Sequence, residues 1–72
     1  MYEDKGNTMQ AIKDYSKAIE INPEFMYAYN NRGLAYESIG RISQAIADYK
    51  KALELNPNYE TARNNLNRLQ SK

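Results

Sequence analysis

Seventy-two residues make one domain at most, and a chain this short usually needs a disulfide, a metal or another chain to supplement its core. It has no cysteine and no histidine, which excludes disulfides, thiolate nucleophiles and the commonest metal ligands together. Ten basic and nine acidic residues leave a net charge of +1, without the basic excess that nucleic-acid binding demands, and no apolar run reaches the ~20 residues of a membrane span.

In chain order, the first signal is Gly6, which reads as a helix stop. Asn7-Thr8-Met9-Gln10 then resembles a capping box, with Asn7 as N-cap and Gln10 at the third helical position. The helix it opens is expected over 8–22, with an apolar stripe of Ala11, Ile12, Tyr15, Ala18 and Ile19. Asn22-Pro23 closes it, because the residue before proline avoids the α conformation. A second helix is expected over 24–39, where Tyr29, Gly33 and Tyr36 fall on one face at spacings of four and three. Gly40 ends it. The third, over 42–55, carries Ile42, Ala45, Ile46, Tyr49, Ala52 and Leu53, and Asn56-Pro57 ends it as Asn22-Pro23 ends the first. The last, over 59–70, puts Tyr59, Ala62, Leu66 and Leu69 on one side and Asn64, Asn65, Asn67, Arg68 and Gln70 on the other, the asymmetry of a terminal capping helix. Nothing alternates with a period of two, so no strand is expected.

These elements repeat. A shift of 34 residues brings Gly6, Gln10, Ala11, Ile12, Asp14, Tyr15, Lys17, Ala18, Glu20, Asn22 and Pro23 onto Gly40, Gln44, Ala45, Ile46, Asp48, Tyr49, Lys51, Ala52, Glu54, Asn56 and Pro57. The period, with Tyr29, Gly33, Tyr36, Ala45, Tyr49, Ala52 and Pro57 at its large, small and closing positions, resembles the tetratricopeptide repeat, a pair of antiparallel helices A and B. The resemblance implies an all-α fold over 1–72, with helix pairs stacked as a right-handed superhelical fragment. In that register, 1–5 is the last turn of a helix A, 8–22 and 42–55 are B helices, 24–39 is a helix A and 59–70 caps the stack. Two positions depart from the family pattern. Arg32 stands where the family most often has Leu, with Asp14 or Asp48 as candidate partners or solvent as its destination, and Asn67 stands where it prefers a small residue.

For function, the resemblance implies a non-catalytic module that binds a protein or peptide on the concave face lined by A helices. Carried onto this chain, that face is Tyr27, Asn30, Asn31, Leu34 and Ser38 with Thr61, Asn64, Asn65 and Arg68. Side-chain amides donate and accept, so a row of asparagines suits the backbone of an extended peptide, although asparagines on a helix are equally at home in solvent. One subtype of the family clamps a terminal carboxylate, but of its five elements only Asn31 is present, so no such clamp is expected. The alternative is a self-assembling scaffold. The first helix B lacks most of the helix A that would cover it, leaving Ala11, Ile12, Tyr15, Ala18 and Ile19 for a second copy to cover, by oligomerisation or helix exchange.

Catalytic, cofactor and metal residues are all expected to be absent. Without His or Cys, acid–base or nucleophilic work falls to Asp, Glu, Lys, Tyr or Ser. The acidic groups sit among lysines on polar faces, as Asp14 does with Lys13 and Lys17, which is the pattern of solvated i, i+3 and i, i+4 pairs. The three glycines are too dispersed for a phosphate loop. Partners are therefore expected to be proteins or peptides, including a homo-oligomer, with no nucleic acid and no membrane. The compartment is left open, with the absence of cysteine and of targeting signals favouring the cytoplasm.

Overall fold

The computed structural model describes residues 5–71, Lys5 by its backbone alone. Four helices follow one another: α1 (Lys5–Ile21), α2 (Met26–Ser38), α3 (Ile42–Leu55) and α4 (Glu60–Gln70). Each packs on its predecessor, and the short connections make neighbours antiparallel. Among the described residues there is no strand, and no helix is long and apolar enough to cross a membrane.

The two prolines build the same joint twice. After α1, the Phe25 amide donates to the Asn22 carbonyl at 3.0 Å and the Glu24 amide to Asn22 Oδ1 at 3.2 Å. After α3, the Tyr59 amide donates to the Asn56 carbonyl at 3.0 Å and the Asn58 amide to Asn56 Oδ1 at 3.1 Å. Proline presets the second turn position and the asparagine side chain closes the turn from within. These turns consume Glu24 and Phe25, so α2 begins at Met26, two residues later than the pattern predicts. Between α2 and α3, Gly40 takes φ +81°, where a Cβ is strained. There the Arg41 amide reaches the Tyr36 carbonyl at 2.9 Å and the Gly40 amide the Glu37 carbonyl at 3.1 Å, a Schellman stop.

The start of α1 corrects the sequence reading. The helix runs through Gly6, so neither the stop there nor the Asn7 cap is present. Gln10 does not reach back to a cap but donates to Asp14 Oδ1 at 3.2 Å, one turn further on. Glycine permits a left-handed stop without compelling one; only Gly40 adopts it among the described residues, because the chain must reverse there for α3 to pack on α2. Tyr2 and most of the expected 1–5 turn lie outside the described residues.

The core lies where α2, α3 and α4 meet. Ala45, Tyr49, Ala52 and Ala62 are wholly enclosed, with Ala28, Tyr29, Leu66 and Leu69 nearly so. Gly33 makes this possible. A Cβ there would stand 2.7 Å from Tyr49 Cε1, inside van der Waals contact, so the ring of α3 lies directly on the backbone of α2.

Candidate protein-binding face

Arg32, the departure from the apolar pattern, lies between the first and second helix B. Its Nε and Nη2 donate to the two carboxylate oxygens of Asp48 at 2.8 and 2.7 Å, and Nη1 donates to Ser16 Oγ at 3.0 Å. The guanidinium also lies 5.7 Å from the ring centres of Tyr29 and Tyr36. Of the two aspartates at this repeat position, Asp48 is the partner. The Asp48 hydrogen bonds hold the Arg32 pKa above its usual range against the opposing effect of burial. This part-buried pair ties α2 to α3.

The asparagines divide. Asn30 and Asn65 are buried, and Asn65 Nδ2 donates to Asn30 Oδ1 at 3.1 Å, so their amides are spent on joining α2 to α4. Burying an amide costs free energy unless it is bonded, and this pairing meets that cost. Arg68 extends the network by donating from Nη1 to Asn65 Oδ1 at 3.0 Å and from Nη2 to Glu37 Oε1 at 2.5 Å. The same Glu37 oxygen accepts from the Tyr49 hydroxyl at 2.9 Å. Burial pushes the Tyr49 phenol well above its ordinary pKa, with the Glu37 carboxylate adding to the effect and Arg68 partly offsetting it. Glu37 is the residue the sequence reading missed. Its only signal is its place three residues beyond Leu34, on the same helix face.

The other expected face residues, Tyr27, Asn31, Leu34, Ser38, Thr61, Asn64 and Arg68, are exposed. Tyr27 meets the Tyr59 ring edge-on at a centroid distance of 5.4 Å and the Phe25 ring at 6.4 Å, an aromatic cluster over the second joint and the starts of α2 and α4. Burial raises the Tyr59 phenol pKa, the neighbouring Tyr27 adds to this, and a hydrogen bond with Asn30 works against it. Two hollows share Leu34 and Ser38. One, of about 350 Å³, opens between α1 and α2 and is lined by Ala11, Tyr15, Asn31, Leu34, Ala35 and Ser38, with Asn7 and Thr8 at its α1 end. The other, of about 270 Å³, lies towards α4 and is bounded by Leu34, Glu37, Ser38 and Arg68. The first therefore joins two groups expected apart, the face of α2 and the Ala11–Tyr15 part of the self-association set. Of the rest of that set, Ile12 is buried and Ala18 and Ile19 are half-buried, Ile19 against the Tyr29, Ala52 and Ala62 cluster.

Comparison with protein families agrees with this architecture. The model described as TPR repeat matches residues 1–40, and the one described as tetratricopeptide repeat matches residues 27–59. The chain belongs to the tetratricopeptide repeat family. It is an all-α helical repeat of a family whose repeats generally mediate protein–protein interaction and are generally non-catalytic. No curated protein matches the chain.

Proposed function

We propose that this tetratricopeptide repeat chain is a binding module whose α2 face, from the α1–α2 hollow across to Arg68, takes a peptide or a partner's helix. The observation that carries the reading is the pair of hollows meeting at Leu34 and Ser38 on the face that tetratricopeptide repeats turn to their ligands. Leu34 is 41% exposed at its centre, an apolar anchor flanked by Asn31, whose amide suits the backbone of an extended segment. Thr61 and Asn64 continue the polar side along α4, and Tyr27 with Tyr59 forms an aromatic rim. Peptides selected by display on the wild-type chain test this directly. Burying one leucine is worth about 1.5–3 kcal/mol, so Leu34→Arg should weaken the selected peptides about tenfold or more. Ile21→Arg, at an exposed site away from both hollows, should leave them unchanged. Equal effects from the two substitutions would refute the reading.

A second reading, assembly of copies of this chain, draws on one difference between the repeats. Ala11, Tyr15 and Ala18 are half-buried where Ala45, Tyr49 and Ala52 are fully enclosed. Under this reading the chain dimerises, by docking or helix exchange, and Tyr15→Glu abolishes the dimer. A folded monomer at high micromolar concentration in sedimentation equilibrium would sink it.

A further inference from the structure

The polar bonds across the α2 face form one chain that runs from α2 to α4 and back to α2 and α3. Asn30 Oδ1 accepts from Asn65 Nδ2 at 3.1 Å, and Asn65 Oδ1 accepts from Arg68 Nη1 at 3.0 Å. Arg68 Nη2 donates to Glu37 Oε1 at 2.5 Å, and the same oxygen accepts from the enclosed Tyr49 hydroxyl at 2.9 Å. Glu37 is therefore fixed by α3 on one side and by α4 on the other. Its side chain is 20% accessible and that of Arg68 is 46%, so both reach the surface. Among the described residues that line the two hollows, these two alone carry charge, and their charges cancel.

We propose that Glu37 determines the specificity of this face: by holding the one guanidinium that lines the hollows, it makes the face select uncharged segments over acidic ones. This rests on the reading that the α2 face takes a protein segment, and it states what that segment must lack. A ligand carboxylate approaching Arg68 meets a cation whose charge Glu37 already answers. Its attraction to Arg68 is offset by repulsion from Glu37, and the water excluded by the bound segment strengthens both. Nor does it readily take the place of Glu37, because displacing that side chain strips the enclosed Tyr49 hydroxyl of its acceptor. An uncharged segment leaves the whole network intact while it covers Leu34 and bonds to Asn31. Discrimination thus comes from an internal carboxylate standing where a ligand's would bind. With Glu37 neutralised, the same Arg68 becomes a carboxylate anchor.

The probes are the peptides selected by display on the wild-type chain, resynthesised with aspartate or its isostere asparagine at each position in turn. Fluorescence anisotropy on the wild-type chain should show no position at which aspartate binds more tightly than asparagine. On Glu37→Gln, which keeps an acceptor for Tyr49 and Arg68, aspartate over the α2–α4 hollow should bind about tenfold more tightly than asparagine. Adding Arg68→Gln should remove that gain. Glu20→Gln, an equal change of net charge at an exposed site lining neither hollow, should not produce it. A preference for aspartate on the wild-type chain that Arg68→Gln removes would overturn the inference, and that measurement needs no change at Glu37. So would a Glu37→Gln chain, folded by far-UV circular dichroism, that binds the two isosteres alike. If the selected peptides bind through Leu34 and either of these results is found, the inference fails alone; if no peptide is selected, the function proposed above fails with it.

Discussion

Asp48→Ala removes the carboxylate from the Arg32 pair and leaves the guanidinium in place and charged, since its pKa lies far above any working pH. Two short charge-assisted hydrogen bonds are lost, and only Ser16 Oγ and the faces of Tyr29 and Tyr36 remain to answer the charge. Breaking a buried pair from one side costs about 3–5 kcal/mol. The Asp48 side chain is 7% accessible but that of Arg32 is 19%, so water screens part of the loss and the lower end, about 3 kcal/mol, is expected. At roughly 0.05–0.15 kcal/mol per residue, a chain of this size holds about 4–11 kcal/mol in all, so this one change removes a quarter or more of its stability. Replacing both partners, Arg32→Leu with Asp48→Leu, removes both desolvation costs and should return stability to within about 1 kcal/mol of wild type or above it. Urea denaturation followed by far-UV circular dichroism, with Arg32→Leu, Asp48→Leu and the double in one cycle beside Asp48→Ala, measures the coupling. A loss below about 1 kcal/mol for Asp48→Ala, or a double variant as unstable as that single one, would refute the description of this pair as buried and mutually dependent.

Three further outcomes follow from the described geometry. Gly33→Ala gains about 1 kcal/mol of helix propensity but drives a methyl into an enclosed ring anchored through Glu37, so a net loss of about 1–2 kcal/mol in denaturant titration is expected. Gly40→Ala meets no atom within 4 Å, so its cost is the positive φ alone, about 1 kcal/mol, read as a melting temperature lower by about 4–8 °C. The Tyr49 pKa is raised on folding, so the folded state keeps its proton where the unfolded chain has lost it. The contribution is therefore whole below pH about 10 and declines as pH rises past the unfolded value, and Tyr49→Phe should flatten that decline in urea midpoints measured between neutral and strongly alkaline pH.

Local steric rules wrote themselves plainly into the sequence, and non-local pairings did not. Both Asn-Pro joints were legible because proline restricts its predecessor whatever the rest of the chain does. Gly6 and Gly40 are the same letter at the same repeat position, yet only Gly40 takes positive φ, since the demand for a reversal comes from packing. Arg32 stood out against the apolar pattern, but Asp14 and Asp48 occupy equivalent positions on flanking helices, and spacing alone could not choose between them. Asn30 and Asn65 were placed on their helices, but their bond to each other was not legible. Whether an amide faces water or another amide 35 residues away depends on how α2 and α4 are set against each other. Tyr27 was readable as a residue off the core stripe, while its Tyr59 contact required the joint to be built.

The twice-used Asn-Pro joint also makes the chain extensible. Both turns close with the same pair of bonds, so the segment between them, residues 24–57, begins and ends on interchangeable connectors. Duplicating it in tandem introduces no new backbone geometry, and in each added unit the α2-type helix lies on the tyrosine of its own α3-type helix, as Gly33 lies on Tyr49. Stability should then climb with repeat number as a nearest-neighbour sum, while the length of the exposed α2-type face grows in fixed steps.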